Sequence, residues 1–110
     1  MPLIQATATF AKDEARFVAD ALGRAERHHH GRGLEDSAGT CGILAGRIED
    51  GIKLGGADVD IPLTNDDIGQ IAFAASYFPG SAGRTEIRAV LAKICQASQD
   101  IADYPAPPKA

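Results

Sequence analysis

Two short runs of this chain alternate apolar with polar residues, and each gives way at once to apolar residues at helical spacing. In the first, Ile4, Ala6, Ala8 and Phe10 alternate with Gln5, Thr7 and Thr9; in the second, Val59, Ile61 and Leu63 alternate with Asp58, Asp60 and Pro62. A period of two reads as strand, and a period near 3.6 reads as amphipathic helix. The switch from one to the other, made twice, is the tightest constraint on the fold. A shift of 53 positions superimposes the two runs. It places Ala6, Ala8 and Phe10 on Val59, Ile61 and Leu63, Asp13 and Glu14 on Asp66 and Asp67, and Ala15, Val18, Ala19 and Ala21 on Ile68, Ile71, Ala72 and Ala74. Further on, "LAGRI" at 44–48 aligns with "LAKI" at 91–94 once the connection is shortened by six or seven residues.

Each half therefore reads as strand, helix, loop, helix. The expected fold class is mainly α (an α-rich α+β fold): four helices as two helical hairpins, each preceded by a short strand, with a weak internal duplication over 3–54 and 57–101. The two strands would pair as a ribbon related by a pseudo-two-fold, and the hairpins would share one core. The domain is expected to span 1–103, with 104–110 ("YPAPPKA") as a flexible proline-rich tail.

Local signals place the helix ends. Thr9 is a candidate N-cap for the first helix, Asp13 and Glu14 suit its first turn, and Gly31 is its stop. A second helix is expected from about Ser37 to about Leu54, with Cys41, Leu44, Ala45, Ile48 and Ile52 inward. Ala38, Gly42 and Gly46 form a ridge of small residues on it, which suggests a neighbouring backbone packed close, or a second copy of the chain. Thr64 and Asp67 resemble a capping box before the third helix, whose inward residues are Ile68, Ile71, Ala72, Ala75 and Phe78. Ile87, Val90, Leu91, Ile94, Ser98 and Ile101 give the fourth helix its stripe.

Composition narrows the function. The 110 residues carry a formal net charge of −4, with 11 Lys and Arg scattered among 15 acids, so direct nucleic-acid binding is not expected. No run approaches the roughly 18 apolar residues of a membrane span. The start "MPLIQATATF" has no basic, apolar signal pattern, so a soluble cytoplasmic protein is expected, with Cys41 and Cys95 reduced.

The richest stretch for chemistry is "ERHHHGRGLEDSAGTCG" at 26–42. Metal ligands on a helix need i, i+3 or i, i+4 spacing, whereas His28, His29 and His30 fan through about 200°. They could share an ion only if Cys41, or Glu35 and Asp36, closed the shell from the loop. Cys41 with these histidines is also a conceivable nucleophile–base pair, and Ser37 a weaker one. In size and helix count, with a His near the centre, the chain is similar in outline to histidine phosphotransfer domains, though no Lys follows the His run. The glycine-rich segments fit neither a dinucleotide fingerprint nor a P-loop, and "GGADVDIPL" fails as a calcium loop because Pro62 occupies a ligand place.

These readings favour a small non-enzymatic protein, without cofactor, that acts by binding another protein as an adaptor, antiactivator or inhibitor. Inhibitors encoded by phages and mobile elements, anti-CRISPR proteins among them, have a similar make-up. The candidate partner-binding residues are Arg27, His30, Arg32 and Glu35 around the first helix end, Asp58, Asp60 and Asp66 near the second strand, and the Tyr77–Phe78 corner. The competing expectation is a metal-binding or phosphotransfer role for His28–His30.

Overall fold

The computed structural model describes residues 4–103; the tail expected at 104–110 lies outside them. The order of elements is β1 (Ala6–Ala11), α1 (Lys12–Gly31), α2 (Glu35–Lys53), β2 (Asp58–Leu63), α3 (Asn65–Tyr77) and α4 (Arg84–Ala102). The fold is α-rich α+β, with four helices as two hairpins and a two-stranded antiparallel ribbon.

Alternation sorts the ribbon into two faces. Ala8, Phe10, Val59, Ile61 and Leu63 are buried, while Thr7, Thr9, Asp58, Asp60 and Pro62 face outward. The register pairs Ala8 with Ile61, its own counterpart at the 53-residue shift. An antiparallel pair is related by a local two-fold, and that axis passes between these two residues. The same relation extends to the helices. α1 packs on α3, α4 lies on β1, and its counterpart α2 lies on β2. Each half thus covers its strand with the second helix of the other half. Phe10, Val18, Leu22, Leu44, Ile48, Leu63, Ile71 and Val90 are the large side chains at the centre of the shared core.

Each strand runs straight into its helix. Thr64 and Asp67 form the expected box: the Asp67 amide donates to Thr64 Oγ1 (3.2 Å) and the Thr64 amide donates to Asp67 Oδ2 (3.0 Å). Thr9, by contrast, is not the cap of α1. It remains in the strand, and its hydroxyl donates to Asp60 Oδ1 across the ribbon (2.6 Å), a charge-assisted bond that an outward Thr opposite a carboxylate readily makes. Ala11 is the N-cap, and its amide donates to Glu14 Oε1 (2.8 Å).

Two further expectations are corrected. The six or seven residues by which the first half's connection is the longer do not lie in its loop: residues 32–34 join α1 to α2, whereas 78–83 join α3 to α4. The extra length is helix, since α1 has 20 residues and α3 has 13. Nor does a neighbouring backbone press on the ridge of α2. A Cβ at Gly42 would meet the Glu26 carboxylate, and one at Gly46 would meet nothing within 4 Å. Ala38 alone of the three is fully buried.

Candidate functional site

The last two turns of α1, from about Ala25 to Gly31, have no counterpart in the shorter α3, and they carry the three histidines. Successive helical residues turn by about 100°, so the rings part. His29 points inward and is 7% exposed, while His28 and His30 are exposed. The carbonyls of His29 and His30 accept the amides of Arg32, Gly33 and Leu34, which closes the helix through Gly33 at φ +74°.

His29 and Cys41 meet at one residue. Gln70 Oε1 on α3 lies 3.0 Å from His29 Nε2 and accepts the Cys41 thiol at 3.2 Å. Since an amide oxygen only accepts, this arrangement puts the His29 proton on Nε2 and leaves Nδ1 as a buried acceptor without a partner. Burial, reinforced by the nearby Glu26 carboxylate, pushes the Cys41 thiol up to about 11. A thiol held protonated is a weak nucleophile, and this one bonds to an amide rather than to a histidine.

The other two rings go elsewhere. His30 Nδ1 sits 3.0 Å from Glu35 Oε2, with Glu26 Oε2 3.9 Å from its Nε2. His28 leans on Phe78, with ring centres 5.2 Å apart, and on Phe73 at 6.0 Å. Among the described residues no three His, Cys, Asp or Glu side chains converge as a metal site.

What these residues do build is an aromatic corner. Phe73 stacks on His29 (5.2 Å, 23° between planes) and touches Tyr77 (5.2 Å) and Phe78 (5.6 Å). Arg24 fixes the corner by donating from Nε and Nη2 to the Phe78 carbonyl at 2.9 and 2.6 Å. Tyr77 caps it and is 72% exposed. The chain has four Phe, two Tyr and no Trp, and three of those six aromatics stand here.

The aromatic corner gathers Tyr77, Phe78 and His28 at the end of α1, whereas His30 pairs with Glu35 on another side of that helix. Arg27, His30, Arg32 and Glu35 are exposed on or beside the end of α1. Asp58 and Asp60 are not part of the corner. Asp58 pairs with Ala11 at the opposite end of α1, about 25 Å of helix away. Asp66 is exposed in the first turn of α3 and lines a separate cleft with Asp36, Ser37 and Thr40. Sequence reasoning missed Gln70 and the bond of Arg24 to Phe78; Gln70 and Arg24 are polar residues beside apolar stripes. The one available signal was position: Gln70 precedes Phe73 by three residues, and Arg24 precedes His28 by four, so each shares a helix face with an aromatic ring.

Comparison with protein-family models, with curated proteins and with solved structures finds no match to this chain. Among the described residues, no helix is long and apolar enough to cross a membrane.

Proposed function

We propose that this chain is a protein-binding module, of the adaptor, antiactivator or inhibitor kind, and that it engages its partner through the corner of His28, Phe73, Tyr77 and Phe78. The observation that carries the reading is the exposure of Tyr77 on top of packed rings, in a chain with few aromatics. Aromatic side chains are enriched where proteins bury one another's surface, because they supply large contact area at small cost in conformational entropy. Arg27 and Arg32, exposed on and just beyond the end of the same helix, supply cations for a polar rim. Cys41, His29 and Gln70 lie beneath as support rather than as reactive groups.

The test is a tagged pull-down from the native host, comparing the wild type with Tyr77→Asp. Tyr77 ends α3 and packs on Phe73, so a thermal melt of the variant comes first and the pull-downs are compared well below its transition. A partner retained by the wild type and lost by the variant supports the reading. An identical set of captured proteins sinks it.

A further inference from the structure

Each half of this protein is a helical hairpin packed on itself, and the two halves also pack extensively on each other. Among the described residues β1 pairs only with β2, α4 covers β1, and α2 covers β2. The polar contacts repeat the pattern: Glu14 with Lys93, Arg47 with Asp67, Cys41 with Gln70, and Arg24 with the Phe78 carbonyl all join one half to the other. None of these contacts requires both halves to belong to one chain.

The chain passes between the halves once, through residues 54–57. This linker is held by backbone turns alone, with the Gly55 amide donating to the Ile52 carbonyl (3.2 Å) and Gly55 at φ +83°. Leu54 is 89% exposed, so straightening the linker uncovers no core side chain. An element tied to the rest of its fold by one short, surface hinge can be exchanged between identical chains, with every native contact kept.

We propose that two copies of this chain exchange halves, residues 4–53 of each packing with residues 58–103 of the other. The exchanged dimer is closed and two-fold, and its only new contacts lie around the two straightened linkers. Its aromatic corners are composite: His28 and His29 come from one copy, and Phe73, Tyr77 and Phe78 from the other. The exchange rests on the packing between halves, and it holds whatever the corner binds.

Charge reversal across the halves tests it. Glu14→Lys sets two lysines against each other in a monomer, and Lys93→Glu sets two glutamates. In an exchanged dimer of one Glu14→Lys chain and one Lys93→Glu chain, both units regain an opposite-charge pair. In one unit the two substituted side chains face each other with their signs reversed, and in the other the native Glu14 and Lys93 meet as before. The two variants are unfolded in urea and refolded at high concentration, separately and as an equal mixture with one of them labelled with ¹⁵N. Light scattering and native mass spectrometry then read the products. A heterodimer as the main species of the mixture, absent from either variant alone, is the expected result. Should a variant fail to fold alone, recovery of helical signal in the mixture supports exchange equally. A mixture that contains only what the separate refoldings give, whether monomers or unfolded chain, overturns the proposal.

Discussion

Glu14 caps the first helix of its own half and is paired at the same time with Lys93 from the last helix of the other half. The two-fold relation repeats the device with other residues: Asp67, the counterpart of Glu14, caps α3 and faces Arg47 of α2 at 4.0 Å. Arg47 and Lys93 are the basic residues of "LAGRI" and "LAKI". One carboxylate at the third position of each helix thus ties strand end, helix start and opposite hairpin together.

This pairing makes the fold sensitive to acid. Burial of Glu14 raises its pKa, but the bonds from Lys93 and the Ala11 amide together outweigh that and leave it below the ordinary value of 4.5. A carboxylate depressed in the folded state contributes stability above its unfolded pKa and loses it as pH falls through the folded one. Glu14→Gln is expected to cost about 1 kcal/mol at neutral pH and to flatten the decline of stability below about pH 5. Urea titrations of both proteins at several pH values check the slope.

The physical range of each signal decided what the sequence could reveal. The Thr64–Asp67 box is legible because both partners lie within one turn, and the α4 stripe because its burial is periodic. The ribbon is legible because alternation fixes which face goes inward. Glu14 and Lys93 are 79 residues apart, so only the chain's path brings them together. The histidine run was half legible. Its divergence follows from helical geometry, but the buried residues Ala21, Leu22 and Ala25 of α1 lead on to both His28 and His29, and only the fold, which bonds His29 to Gln70, selects the one that is buried. The length difference between the halves is helix, which the sequence does not reveal because an alignment gap carries no sign of the backbone conformation it removes.

Gln70 is expected to be a costly residue to lose. Gln70→Leu leaves the His29 Nε2–H and the Cys41 thiol without an acceptor in a part-buried site. A buried donor without a partner costs about 1–3 kcal/mol. Chemical denaturation should show a loss of that size. The double variant Gln70→Leu with Cys41→Ala should recover part of it, since only one donor is then left unpaired.

The two thiols should separate cleanly by reactivity. Cys41 is fully buried, bonded to Gln70 and raised to about 11, whereas Cys95 is exposed on α4. At pH 8 an alkylating reagent is expected to modify one thiol per folded chain, and none in Cys95→Ser until denaturant is added. Because burial keeps the Cys41 thiol protonated past the point where the unfolded thiol ionises, stability should also fall as pH rises from about 9 towards about 11. That alkaline loss should be absent in Cys41→Ala, measured against that variant's own stability at neutral pH.

Two glycines of α2 should respond to the same substitution with opposite signs. A methyl group at Gly46 would meet nothing within 4 Å, so Gly46→Ala removes the conformational cost of glycine in a helix and should stabilise the protein by about 1 kcal/mol. At Gly51 the added Cβ would stand 2.6 Å from Val59 Cγ1. Val59 cannot yield easily, since it is a β-branched residue buried in β2 and paired with Phe10. Gly51→Ala should therefore destabilise, the overlap of about 1–3 kcal/mol outweighing the gain in helix propensity. Thermal melts of the two variants should move in opposite directions from the wild type. Equal upward shifts would mean that α2 does not press on β2 at Gly51, and would undo the argument that each half's second helix is seated on the other half's strand.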